Sequence, residues 1–391
     1  MKILLLSAYD AESHIYWRQG LVSNLPEHDW TVLSLPGRYF SWRMRGNSLS
    51  WAFGERATLE QPYDLVIATS MTDLSALRGF VPQLASIPTL VYFHENQFAY
   101  PESKNQFKSV EPKVLNLYTA LAADRIVFNS EYNRQTMLNG ADLLLRKMPD
   151  CVPPGVIEHL TEKSLVLGVP LNNECFESTN FDVIKQVRAV QKRGLSSTAN
   201  KTGLPIHITW AARWEYDKGP DRLLSVLRLL EKRGVDFRLC IMGQSFKNSP
   251  QDFEQIREEF GHRIDHMGYA ATKEEYLAWL SCSDIFISTA IHEFQGLSVL
   301  EAVAQGCIPV LPDRMSYSEM FSEEYLYACD KDIEVEAASA VDVIIKQIDL
   351  ISNRKSITPD VAEFSWEMMA EKYRHLIRSV AGEGPCTEKK T

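Results

Sequence analysis

At 391 residues the chain is too long for one ordinary core, since a domain takes roughly 150 residues, and far too long for a small disulfide scaffold. A composition that is 45% apolar and 24% charged excludes a disordered or fibrous chain. Lysine plus arginine number 41 against 51 aspartate plus glutamate, a formal charge of −10, which excludes diffuse polyanion binding and leaves only a local basic patch for any nucleic-acid partner.

Short runs rich in β-branched residues alternate with longer helical patterns, the signature of parallel sheets covered by helices. In the first half the expected strands are Lys2 to Ser7, Trp30 to Leu35, Asp64 to Ser70, Pro88 to His94, Asp124 to Ser130 and Ser164 to Val169, with a helix over Glu111 to Ala123. The opening run is too short for a signal peptide and meets Asp10 and Glu12 at once, so it reads as a buried strand. Strands resume at Ile206 to Ala212, Phe237 to Gly243, Arg263 to Gly268, Asp284 to Thr289, Cys307 to Leu311 and Tyr325 to Cys329. The expected fold is therefore α/β, two doubly wound Rossmann-like units in tandem, facing a central cleft. The expected boundaries are 1–171 for an acceptor-side domain, 172–205 for a polar linker, and 206–360 for a nucleotide-binding domain. A C-terminal helix over 361–380 is expected to pack back towards the first domain, and 381–391 to form a tail. Seven singly scattered cysteines without a C-x-x-C pair argue against a disulfide framework or structural zinc and point to a reducing, cytoplasmic compartment. No run reaches the length of a membrane span, so no membrane partner is expected.

Ligands of open α/β sheets bind outside the carboxyl ends of the strands, so the segments that follow strands carry the functional argument. After Ile206 to Ala212 comes Arg213-Trp214-Glu215-Tyr216-Asp217-Lys218-Gly219-Pro220, two cations across a turn that opens a helix. A guanidinium fork and an ammonium together suit a diphosphate, although solvated loop charges would look the same in isolation. After Asp284 to Thr289 comes His292-Glu293-Phe294-Gln295-Gly296-Leu297-Ser298-Val299-Leu300-Glu301, a glycine-bearing turn at a helix start flanked by two glutamates. Backbone N–H groups over Gln295 to Ser298 would form an anion site there, and carboxylates accept hydrogen bonds from sugar hydroxyls.

In the first half the strand ending at Phe93 delivers His94-Glu95-Asn96-Gln97, and the next delivers Phe128-Asn129-Ser130, where Ser130 is a natural helix cap. Between Leu35 and Gly46, Arg38, Arg43 and Arg45 interleave with Tyr39, Phe40 and Trp42. Aromatic faces stack bases and arginines hold phosphates, so this is the one segment suited to RNA; the competing reading is an amphipathic stretch whose aromatics are core.

The Arg213-x4-Lys218 pair with the Glu293-x7-Glu301 element resembles the retaining GT-B glycosyltransferases of family 4. The resemblance implies that Arg213 and Lys218 bind the diphosphate of a nucleotide sugar, Glu293 faces the sugar and Glu301 the ribose. It also implies that Gln244 lines the nucleotide pocket and that Gly296, Leu297 and Ser298 contact the donor. The stretches around His94, Asn129 and Pro36 to Arg45 extend the resemblance, which becomes one to the tRNA-queuosine mannosyltransferase family over most of the chain. That family implies transfer of mannose from GDP-mannose to queuosine at the tRNA wobble position. His94 and Glu293 are then the catalytic-site candidates, and no covalent nucleophile is assigned. Ser13, His14, Arg38, Tyr39, Trp42, Arg43, Arg45, Glu95, Asn96 and Asn129 lie on the acceptor side. No cofactor or metal is expected, because the two cations serve the leaving diphosphate. One departure stands out: the family's Gly-Gly-Ser-His turn after the first strand reads Ala11-Glu12-Ser13-His14 here, which restricts close backbone approach and adds a negative charge. The rival expectations are a GT-B transferase with a glycan, lipid-linked or small-molecule acceptor, and a non-catalytic tRNA-binding or sugar-nucleotide-sensing protein of the same fold.

Overall fold

A computed structural model describes residues 1–100, 109–193, 205–246 and 248–382. They divide into two units, Met1–Pro170 joined by the C-terminal segment from Trp366, and Leu171–Ser365.

The first unit is built on β1 (Lys2–Asp10), β2 (Asp29–Pro36), β3 (Leu65–Thr69), β4 (Thr89–Phe93), β5 (Arg125–Phe128) and β6 (Ser164–Val166). All pair in parallel, in the order β2-β1-β3-β4-β5-β6. Every residue of β3 and β4 is buried, as helices on both faces of a parallel sheet require, and this is why the strands read as unbroken apolar runs. β1 runs to Asp10, past the expected end at Ser7, through a register irregularity against β2. The helix Trp366–Val380 buries Trp366, Met369, Tyr373, Leu376 and Ile377, one stripe at helical spacing. It docks in this unit: Trp17 Nε1 donates to the Tyr373 hydroxyl at 3.1 Å, and that hydroxyl donates to the Gly168 carbonyl at 2.9 Å.

The second unit carries β7 (Ile206–Ala211), β8 (Phe237–Met242), β9 (Ile264–Gly268), β10 (Ile285–Ile287), β11 (Ile308–Pro312) and β12 (Leu326–Tyr327). Again all are parallel, in the order β12-β11-β10-β7-β8-β9. Side chains alternate between two cores: Leu239 and Ile241 of β8 face helices Pro220–Lys232 and Ile333–Ser352, while Cys240 and Met242 face Lys273–Ser281 and Leu297–Ala304.

The segment 172–205, expected to be linker, is in part structural. It contains the helix Phe181–Arg193, with Val187 buried in the second core and Val183 and Ile184 packed against it. Gln191 Nε2 donates to the Cys282 carbonyl at 3.0 Å. A helix needs only one apolar stripe to dock, so polar composition did not reveal it. The serine- and threonine-rich stretch Ser196 to Gly203 lies outside the described residues, as does the tail from 383. No helix among the described residues is long and apolar enough to cross a membrane.

Candidate active site

In the second sheet β7 and β10 are neighbours whose chains continue to opposite sides, which makes their carboxyl ends the topological switch point where α/β sheets bind ligands. Lys218 follows β7 and Glu293 follows β10. The Lys218 ammonium is buried, 3.2 Å from Glu293 Oε2, 3.2 Å from Asp217 Oδ2 and 3.0 Å from the His292 carbonyl. Burial works to depress the ammonium, but Glu293 and then Asp217 outweigh it and hold Lys218 above the usual lysine range. Burial likewise opposes ionisation of Glu293, yet Lys218 and the Phe294 N–H hold its carboxyl below the usual range. The two groups are therefore a fixed ion pair at neutral pH.

Several local contacts set this pair. Backbone N–H groups of Ile291 and His292 both donate to the Asp217 carbonyl, at 2.8 and 3.1 Å. Thr289 Oγ1 donates to the Lys218 carbonyl at 2.9 Å and accepts from Trp210 Nε1 at 3.0 Å. Gly219 lies so close to Thr289 that a Cβ would strike the Thr289 carbonyl, and its φ of +65° suits glycine. Gly296 caps the helix Leu297–Ala304 with φ +80°, and a Cβ there would come within 2.7 Å of the Tyr317 ring. The first-turn amides of Leu297 and Ser298 are consequently presented at a helix N-terminus, a favourable position for an anion. Arg213 stands nearby, half exposed, with Glu215 at 3.0 Å.

Glu301 lies one turn further in, buried and paired with Lys273. Gln244 is exposed, and its carbonyl accepts from Trp214 N at 2.9 Å, joining the loops after β7 and β8. Lys273 and Tyr317 were not singled out from the sequence. Lys273 opens a helix 28 residues before Glu301, with no spacing signal to connect them. Tyr317 packs on the Gly296 turn and shares a 3.0 Å hydrogen bond with Ser288 Oγ. Asp217 was legible, being adjacent to Lys218.

In the first unit His14, in the helix after β1, meets His94 and Glu95, in the loop after β4. His14 Nδ1 lies 2.5 Å from the Tyr9 carbonyl and Nε2 3.2 Å from Glu95 Oε2. Both ring nitrogens thus face oxygen acceptors, which a doubly protonated imidazolium satisfies. Burial opposes that charge, but Glu95, the Tyr9 carbonyl and Asp10 outweigh it and raise His14 above the usual histidine range. The His94 ring lies 4.2 Å from His14, centroid to centroid. Burial and then the His14 charge push His94 well below the usual range, so it stays neutral. Ser13 is exposed in the first turn of the helix Glu12–Asn24. Ala11, where the family has glycine, caps this helix at φ −74°, a conformation alanine holds without strain.

Two acceptor-side expectations, Asn96 and Asn129, require correction, and a third, Arg45, has partners the sequence did not show. Asn96 is fully buried: its Nδ2 donates to Asn133 O, Asn133 Oδ1 and Thr136 Oγ1, and its Oδ1 accepts from the amides of Phe98 and Ala99. Asn129 Nδ2 donates to the His94 carbonyl at 2.9 Å and its Oδ1 accepts from Asn133 at 2.8 Å. Both hold the loop after β4 in shape. Arg45, its side chain 55% exposed, pairs with Asp73 at 2.9 Å and Glu111 at 2.5 Å, so two carboxylates of its own unit compete with any ligand for its charge. Arg38, Tyr39, Trp42 and Arg43 remain exposed or half-exposed at the start of the helix Phe40–Gly54. As expected, Ser130 caps the helix Glu131–Leu145, accepting from Asn133 N.

A family model described as tRNA-queuosine alpha-mannosyltransferase N-terminal matches residues 2–171, and one described as glycosyl transferases group 1 matches 198–355. Over 326 residues the chain is 33% identical to a tRNA-queuosine alpha-mannosyltransferase of Drosophila melanogaster, covering 83% of each chain. The chain belongs to the tRNA-queuosine alpha-mannosyltransferase family. As a member of that family with a group 1 transferase region, it is a glycosyltransferase. A GDP-mannose:cellobiosyl-diphosphopolyprenol alpha-mannosyltransferase of Xanthomonas oryzae is 24% identical over 165 residues, covering 41% of this chain and 43% of its own. Among solved structures, sucrose-phosphate synthase of Thermosynechococcus elongatus covers 98% of this family member and 99% of its own chain, with a TM-score of 0.70 at 14% identity. The Anabaena protein HepE, in complex with UDP and glucose, covers 97% and 100%, with a TM-score of 0.66 at 13% identity. The family's fold is thus GT-B, two parallel-sheet Rossmann-like units.

Proposed function

We propose that this protein transfers mannose from GDP-mannose, with retention of anomeric configuration, to the cyclopentene diol of queuosine at the wobble position of a cytoplasmic tRNA. The observation that carries the acceptor is the 33% identity, extending over 83% of both chains, to the Drosophila enzyme. The donor reading rests on the Lys218–Glu293 pair at the sheet's switch point and on the GDP-mannose in the name of the Xanthomonas relative.

The chemistry follows from charge. As the bond between the anomeric carbon and the phosphate oxygen breaks, negative charge grows on the diphosphate and positive charge on the sugar. Lys218, Arg213 and the amides at the start of Leu297–Ala304 stabilise the first, and these cations do the work a divalent metal does elsewhere. The Glu293 carboxylate, ionised by its pairing with Lys218, positions the sugar hydroxyls and favours the oxocarbenium-like centre. The acceptor hydroxyl attacks the same face, its proton passing to the departing phosphate oxygen, so GDP leaves and one glycosidic bond forms. Glu301 and Lys273 hold the nucleoside end, and neutral His94 serves as a hydrogen-bonding group to the substrates.

The test is incubation with a panel of nucleotide sugars and with tRNA bearing or lacking queuosine, followed by nucleoside mass spectrometry. The expected result is a gain of one hexose, from GDP-mannose only and on queuosine-bearing tRNA only. Hexose transfer to a diphosphopolyprenol-linked glycan, with none to tRNA, would favour the activity of the Xanthomonas relative instead.

A further inference from the structure

The start of the helix Phe40–Gly54 is organised more tightly than an ordinary surface stretch. Tyr39, its N-cap, adopts the left-handed conformation at φ 55° and ψ 53°, sparsely populated for a non-glycine residue and concentrated at functional positions. Tyr39 is 71% exposed, and the Arg38 guanidinium lies 5.6 Å from its ring centroid. One turn on, Trp42 is 53% exposed, yet its indole lies against the helix because Gly46 has no side chain. A Cβ at Gly46 would come within 2.5 to 2.8 Å of three indole atoms and meets no nearer neighbour. A large exposed aromatic thus lies in space that a glycine leaves open, at a helix position where glycine costs about 1 kcal/mol relative to alanine.

The charges around the two rings differ from those elsewhere on the helix. Arg45 pairs with Asp73 and Glu111. Arg38 and Arg43 pair with no carboxylate among the described residues; Arg43 Nε donates to the Pro36 carbonyl at 3.3 Å. On a chain of net charge −10, two guanidinium groups with no carboxylate partner among the described residues, beside two displayed aromatic faces, complement a polyanion with unstacked bases, not another acidic protein surface.

We infer that Tyr39 and Trp42 form a preset stacking platform for unpaired bases of an RNA loop, with Arg38 and Arg43 on the adjoining phosphates and Gly46 as the seat that fixes Trp42. This rests on the tRNA reading above and deepens it: Arg45 is excluded from the contact, and Gly46 becomes a specificity-determining position that touches no RNA.

The test measures binding of a queuosine-bearing tRNA over a salt series for the wild-type chain, Tyr39→Ala/Trp42→Ala, Arg38→Gln/Arg43→Gln and Gly46→Ala, with unfolding midpoints and sedimentation for each. Losing the rings weakens binding by about 5- to 100-fold per stacked base and leaves the salt slope unchanged. Losing the two arginines lowers the slope by about 1.4, since each single-strand phosphate contact contributes about 0.7. Gly46→Ala keeps or raises the unfolding midpoint while weakening binding several-fold. Wild-type binding with unchanged affinity in all three variants overturns the platform and leaves the proposed function standing. A wild-type chain that does not bind tRNA overturns both. A change in sedimentation without a change in RNA affinity makes this face a protein contact and likewise overturns the inference.

Discussion

Lys218→Met separates two things the buried ammonium does. Methionine keeps roughly the volume and removes the charge that lies 3.2 Å from both Asp217 and Glu293. Removing one partner of a buried pair costs about 3–5 kcal/mol. The Glu293 side chain is 26% exposed and keeps some hydration, so the lower end, about 3 kcal/mol, is expected. Adding Glu293→Gln takes away one of the two carboxylates left facing each other, and the double variant should recover about 1–2 kcal/mol of that loss. Activity follows a different rule, because neither variant restores a cation for the departing diphosphate; kcat should fall on the order of 100- to 1000-fold in both. The assay is urea unfolding of the four proteins of the cycle at neutral pH, alongside kcat for hexose transfer at saturating donor and tRNA. The Glu293 carboxyl is held below its ordinary value of 4.5, so its contribution is present above that value and lost as pH falls through the folded one. The Lys218→Met deficit should therefore shrink on acidification. Full turnover by Lys218→Met, or a double variant less stable than Lys218→Met alone, would refute the reasoning.

Three further outcomes are expected. Asn96→Ala should lower stability by about 3 kcal/mol by leaving buried donors and acceptors unpaired, with the tRNA KM unchanged; wild-type stability with a raised KM would return Asn96 to the acceptor contact. Replacing His14 by Asn should cost more stability below pH 6.5 than at pH 8.5, because a histidine raised by Glu95, the Tyr9 carbonyl and Asp10, with Arg18 on Asp10 and neutral His94 alongside, contributes fully below its unfolded value and loses that contribution as pH rises through the folded one. A pH-independent difference in urea unfolding would count against the imidazolium. Gly20→Ala should destabilise by about 1–3 kcal/mol through overpacking, the opposite sign from most helical glycines, because its Cβ would lie 2.7 Å from the Trp366 ring; loosened docking of Trp366–Val380 should show as faster proteolysis within that helix.

All twelve strands were legible because most are buried apolar runs, although β2, β6 and β9 hold no fully buried residue, and a chain of such runs separated by helical patterns admits few topologies. Strand ends were legible only approximately, β1 running to Asp10 and not Ser7 and β6 stopping at Val166 and not Val169, yet closely enough to mark where chemistry gathers, so Arg213, Lys218, His94 and Glu293 stood out from the sequence. What the linear order could not decide was which of these groups meet. Lys218 and Glu293 are 75 residues apart, and only the adjacency of β7 and β10 brings them into contact. The same holds for Lys273 and Glu301, for His14 and Glu95, and for the buried Asn96–Asn133–Asn129 set, which looks like a polar ligand site until its hydrogen bonds are counted. The helix Phe181–Arg193 hid behind its charged face, since three apolar side chains suffice to dock it. Arg45 differs from Arg38 and Arg43 only in having Asp73 and Glu111 within reach. Residue type and local spacing therefore determined the elements and the candidate chemistry, while partners supplied from distant strands decided whether each charge is spent inside the protein or left for a ligand.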